Sequence, residues 1–298
     1  MNIRRLIINL GKLLLSGLAY FIGMMVGSMV AMLLSLPQPP IPEYVDQATA
    51  TIAMLLVSPI LALALALIAQ GIAGGWLTRM LILSGLTYVA YTLNTMLDAT
   101  LYVTAYASTS AFTTISAIVP SLFCGGVVAL LFPPKGKELS FVAAWREFFG
   151  RRNPGQWLWR LLLAGIAFMP IYLLFGLLVN PITGEYYRQY MFGLQAPGWN
   201  QILPVLFVRS LLFFLASLPI FIVWQKSEHN LFLSLGTALF ILVGFLYMLI
   251  SYWLPPIVRI PHSIEILADS FIYASVLIWL LLGRLPFLER RRLDFQTQ

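Results

Sequence analysis

Charge is what this sequence has least of. Asp, Glu, Lys and Arg together make up 10% of its 298 residues, against roughly 25% in a typical soluble domain. A single cysteine, Cys124, excludes an intramolecular disulfide, a Cys-X-X-Cys redox pair and a thiolate cluster. Lying in an apolar run beside Gly125 and Gly126, it reads as an inert packing residue. Histidine occurs twice, at His229 and His262, which leaves no His-Glu-x-x-His zinc helix. Also missing are a Gly-x-Ser-x-Gly nucleophile turn, a Gly-x-Gly-Asp or Glu-Glu sequence, a phosphate-cradling glycine loop and any dinucleotide fingerprint. No cofactor and no metal are therefore expected. His262, Glu265 and Asp269 would need donors from other helices, Asp98 above all, before they could hold an ion.

What fills the chain instead is hydrocarbon. Hydrophobic residues account for 60% of it and the mean hydropathy is +0.88. A soluble protein of this length cannot hide that much apolar side chain, and the ten-residue alternation of an outer-membrane barrel is not seen. The fold class expected is all-α: a polytopic transmembrane helix bundle of about eight spans. They fall at about 13–35, 48–70, 75–97, 113–132, 158–180, 202–224, 231–253 and 264–284. The first apolar run continues far beyond a signal-peptide core and has no small-x-small cleavage site. In it Ala19, Gly23, Gly27 and Ala31 recur at every fourth position, a face for close helix packing.

The organisation expected is a four-span half over 1–134, a basic connection over 135–157 and a second four-span half with a basic tail over 158–298. Two parallel repeats would follow from four spans per half. A short echo, Asn94–Asp98–Tyr102 against Glu265–Asp269–Tyr273, raises the same question. Within the connection, Phe141, Trp145, Phe148 and Phe149 have the spacing of a short helix lying in the membrane interface. Residues 100–116, rich in Thr, Ser and Tyr, read as a polar re-entrant or surface piece. Tyr186, Tyr187, Tyr190 and Phe192 read as an aromatic belt.

The formal charge of +7 does not indicate nucleic acid, because the basic residues sit at helix ends and in connections. Counting them fixes an expected orientation. One side receives Arg4, Arg5, Lys12, Arg79, Lys135, Lys137, Arg146, Arg151, Arg152, Arg160, Lys226, Arg284, Arg290, Arg291 and Arg292; the other receives only Arg188 and Arg259. Both termini are expected in the cytoplasm, in a multi-pass protein of the plasma (inner) membrane whose basic face meets anionic lipid.

Against that background one stretch stands out, Arg259 to Tyr273. On a helix, His262, Glu265, Asp269 and Tyr273 form one polar stripe. It would lie at the external mouth of the last span, with Pro261 and His262 in the first helical turn and Glu265 complementing the helix N-terminus. Arg209 lies inside the sixth span at a similar depth. A lone charge at the bilayer centre costs at least about 2.5–3.5 kcal/mol, so Arg209 is expected to pair with Asp269 or Glu265. The candidate substrate or ion pocket is thus Arg209, His262, Glu265, Asp269 and Tyr273, with Asn94 and Asp98 as its second side. This pattern fits a small-molecule or lipid permease with an outward-facing polar pocket. Two alternatives use the same residues: a non-catalytic membrane subunit or assembly factor with a membrane-protein partner, and an intramembrane hydrolase in which Asp98 and Asp269 share a proton.

Overall fold

The computed structural model describes residues 3–38, 46–103, 110–134, 136, 139–252 and 254–283. Lys135, Lys137, residues 104–109, three of the four prolines of the first connection, Arg284 and the Arg290–Arg292 tail lie outside them. The described residues form an all-α bundle of eight helices long and apolar enough to cross a membrane. In chain order these are α1 (Ile3–Leu33), α2 (Gln47–Ala69), α3 (Trp76–Tyr102) and α4 (Ser110–Leu131). A short α5 (Phe141–Gly150) precedes α6 (Pro154–Arg188), α7 (Trp199–Val223), α8 (Glu228–Ile250) and α9 (Pro256–Leu282).

Several spans run further than hydropathy alone expects. The third continues to Tyr102, which brings Asp98 into the helix, and Thr100–Tyr102 is therefore helical rather than a surface piece. The fifth continues to Arg188, so Tyr187 belongs to a span rather than to a separate interfacial belt. The last begins at Pro256, with proline in its first turn, and holds Pro261 in its interior. His262 and Glu265 are thus not first-turn residues, and Glu265 does not complement the helix N-terminus. Polar residues lower the hydropathy of these helix ends, but their backbones still need intrahelical hydrogen bonds in an apolar surround.

Packing explains the small residues. A Cβ added at Gly17 would stand 2.6 Å from the Pro59 backbone nitrogen of α2, and one at Gly23 would stand 2.5 Å from Pro120 Cα of α4. Side-chain-free positions therefore let α1 approach both neighbours to backbone contact. The basic residues at one end of the bundle also close it. Lys12 donates to Leu131 O at 2.8 Å and Arg79 to Phe132 O at 2.7 Å. Arg152 donates to Leu281 O at 2.7 Å, and Arg160 reaches Leu280 O. Cations on the last carbonyls of α4 and α9 satisfy orphan acceptors and oppose the negative helix end. In α5 the expected aromatic face is divided. Trp145 is half-exposed, whereas Phe148 is buried against Trp157, ring to ring at 5.0 Å. That helix docks on the bundle through Phe148, because the ring gains more from a full shell of neighbours than from one side of lipid.

The second half reproduces the packing of the first. In each, the first span lies against the second and fourth, and the third against the fourth; between halves, α2 meets α8 and α3 meets α7. In the turns after α2 and α7, Ile72 and Trp224, 152 positions apart, form an antiparallel bridge. Ala73 N donates to Val223 O and Gln225 N to Gly71 O, both at 2.9 Å. Each third span contains a π-helical segment, Tyr88–Leu93 and Ile241–Phe245, at nearly the same spacing. Ser58, the residue beside which Gly17 packs, is matched 152 positions later by Ser210, whose Oγ accepts from Phe168 N at 3.2 Å. The Asn94–Asp98–Tyr102 and Glu265–Asp269–Tyr273 phrases do not share this spacing. They occupy the third and eighth spans, which are not equivalent positions of a four-span unit.

Replacing Gly17 with leucine should force α1 off α2 and lower the thermal midpoint of the detergent-purified protein by several degrees. Gly11→Ala, with nothing within 4 Å of the added Cβ, should leave the midpoint unchanged when both are followed by fluorescence-detected gel filtration.

Candidate functional site

Between α3, α6, α7, α8 and α9 lies a cavity of about 650 Å³. Arg188, Pro197 and Trp199 line its rim, at the end of the bundle away from Ile3. Its deep wall is aromatic. Phe168, Phe213 and Tyr273 pack with ring centroids 4.8, 5.7 and 6.2 Å apart. The ladder of α6 is interrupted at Ala167 for a local reason: Pro170 has no N–H to give to Ile166 O, and its ring crowds that carbonyl. Ser210 of α7 takes up the Phe168 N–H freed there.

Arg209 anchors one wall. It is 2% exposed. Its Nε donates to Asn94 Oδ1 at 2.7 Å and its Nη1 to Asp98, both on α3. The two acceptors are four residues apart and so share a helix face. The guanidinium also lies over the Tyr172 ring at 4.8 Å and the Phe168 ring at 5.6 Å. The expected pairing with Asp269 or Glu265 is therefore corrected: the partner is Asp98. Depth along the membrane normal could not decide between carboxylates on different helices. Lateral packing does, since α7 lies directly on α3 and faces the carboxylates of α9 across the cavity. This pairing gives Asp98 a cationic partner on the neighbouring span.

The opposite wall is the stripe of α9. Its four members line the cavity together, as their spacing requires. His262 Nδ1 lies 2.7 Å from Glu265 Oε2, a hydrogen bond in one tautomer and an ion pair when the imidazole is protonated. The other ring nitrogen meets Tyr187 Oη of α6 at 3.0 Å. Tyr187 in turn stands edge-on to Tyr102, 5.7 Å between centroids, and the Tyr172 hydroxyl donates to that of Tyr102 at 3.2 Å. Gly176 leaves room for this arrangement; a Cβ there would stand 3.4 Å from Glu265 Oε1. Asp269 and Tyr273 are 3% and 1% exposed, and Asp269 Oδ1 and Tyr273 Oη have no hydrogen-bond partner.

The cavity thus gathers His262, Glu265, Asp269, Tyr273, Arg209 and Asp98, with Asn94 behind Arg209. Sequence reasoning did not assign Phe168, Tyr172 or Tyr187 to it. Tyr172 and Phe168 carry no signal in an apolar run. Tyr187 was masked by neighbouring aromatics that do suit an interface. Among the described residues no group of three or more His, Cys, Asp or Glu side chains is placed to hold a metal ion. Comparison with known proteins finds no matching family model, no similar curated protein and no similar solved structure.

The Arg209–Asp98 pair is testable by a double-mutant cycle. Arg209→Met alone should destabilise by about 3–5 kcal/mol, because a buried carboxylate loses its partner. Adding Asp98→Leu should recover much of that loss, whereas adding Asp269→Leu should not. Equal recovery by both would displace Asp98 as the partner.

Proposed function

We propose that this integral membrane protein is a permease-like carrier for a small molecule or lipid, which enters the cavity from the rim formed by Arg188, Pro197 and Trp199. The observation that carries the reading is the cavity itself. A polar cluster serving only to hold helices together would be dry, filled by side chains and fully paired. Here about 650 Å³ is open among the charges, and a buried carboxylate oxygen is left without a partner. Ionisable groups within spans are costly unless they pair with one another or line a cavity. Arg209 and Asp98 do the first, Asp269 the second. The aromatic packing of Phe168, Phe213 and Tyr273 is then the barrier beyond the cavity, and the bend at Ala167 a place where α6 changes shape. In this reading the rim is extracellular and both termini are cytoplasmic, as the distribution of basic residues favours. The two halves, 1–134 and 158–298, descend from one duplicated four-span unit. The 152-residue spacing of the central bridge supports this.

Proteoliposomes containing the chain should take up at least one solute from a panel of neutral, anionic and cationic small molecules and short-chain lipids faster than empty vesicles. Asp269→Asn should slow that uptake by tenfold or more while leaving the thermal midpoint within a few degrees of wild type. Uptake no faster than in empty vesicles across the panel would remove the carrier reading.

A further inference from the structure

The cavity's unmet polar atoms define the chemistry of what fills it. Of its charged groups, Arg209 is charge-paired with Asp98, bonded to Asn94 and flanked by two aromatic faces. His262 is used by Glu265 and Tyr187, and Arg188 at the rim pairs with Glu185 at 2.9 Å. No cation among them is left for a carboxylate or phosphate. What is left is an acid. Asp269 Oδ1 and Tyr273 Oη are the two buried, unpartnered side-chain atoms among the described residues that line the cavity. They stand four residues apart, on one face of α9. A buried ionised carboxylate without a partner is expensive, and a tyrosine hydroxyl that finds none adds to the cost.

The remaining lining is hydrocarbon. Leu173, Leu177, Val243 and Ile266 all face the cavity. Leu177 is also 60% exposed on the outer surface of the bundle, so the apolar wall continues to the side of the molecule.

We infer that the cavity binds a primary ammonium group carrying an apolar chain, with the ammonium at Asp269 and Tyr273 and the chain along Leu173 and Leu177. This rests on the cavity being a ligand site, the reading given above, and names its ligand class. Three N–H donors on one cation satisfy Asp269 Oδ1 and Tyr273 Oη together, in the same way that a lysine ammonium satisfies several acceptors. A trimethylammonium has no N–H to give. An alcohol of the same chain length brings a donor but no charge, and a fatty acid brings a second negative charge beside Asp269.

Four ten-carbon probes separate these cases: decylamine, decyltrimethylammonium, decanol and decanoate. Their binding to the full-length protein in nanodiscs is followed by quenching of tryptophan fluorescence, Trp199 being at the rim. Decylamine should bind at least tenfold more tightly than the other three. Asp269→Asn should lose at least tenfold for decylamine and little for decanol; Tyr273→Phe should lose less; Asp269→Glu should retain part of the preference and shows that the site tolerates substitution. Equal binding of all four, or a preference for decanoate, overturns the inference. Running the titration in phosphatidylethanolamine and in phosphatidylcholine nanodiscs distinguishes sources. Competition by the ethanolamine lipid identifies a lipid headgroup as the natural ammonium, and tight decylamine binding in both identifies a free amine. Amine binding without vesicle uptake removes the carrier reading and leaves the ligand class standing. Uptake of another solute by a protein indifferent to decylamine does the reverse.

Discussion

A guanidinium buried in an apolar helix must be neutralised from a neighbouring helix, and the arrangement of this protein's second half follows from where that neighbour is. Arg209 is reached by Asn94 and Asp98 of α3, so the charge joins the two halves of the chain rather than two helices of one half. Removing a charge from water costs several kcal/mol that only a well-formed set of partners offsets. The two acceptors on α3 and the ring faces of Tyr172 and Phe168 form that set. Because Arg209 turns toward α3, the carboxylates of α9 stand free of it on the other side of a cavity.

The contrast between halves has a steric origin. In the first, glycines on α1 allow backbone contact with α2 and α4. In the second, α6 carries Phe168 at the position 152 residues after Ser16 of α1, and its helical ladder is interrupted at Ala167. A phenylalanine ring at that position holds its neighbours further off than a serine does. Similar packing between helices thus leaves backbone contact around α1 and a lined cavity beside α6. The paired turns at Ile72 and Trp224, and the stacking of Tyr91 of the first π-helical segment on Tyr247 just past the second, 4.9 Å between ring centroids, hold the two together.

Much of this was open to reading in the chain itself. The eight spans follow from the bilayer's demand for about twenty apolar residues, and the α9 stripe follows from 3.6 residues per turn. Where helices began and ended was less legible. Polar residues such as Asp98, Tyr187 and His262 depress local hydropathy while the backbone hydrogen bonds continue through them. The echo between the Asp98 and Asp269 phrases misled for a related reason: similar short polar motifs arise wherever two helices line one cavity.

The sequence by itself determined that the chain is a helical membrane bundle and that four polar residues share one face of the last span, since both rest on distances along a single helix. Only the tertiary structure decided which carboxylate Arg209 takes, that His262 links Glu265 to Tyr187, and that Asp269 Oδ1 and Tyr273 Oη are buried without a partner beside the cavity. Those outcomes depend on which helix lies beside which. Lateral neighbours across an apolar interface are chosen by side-chain volume and shape, and hydropathy carries neither.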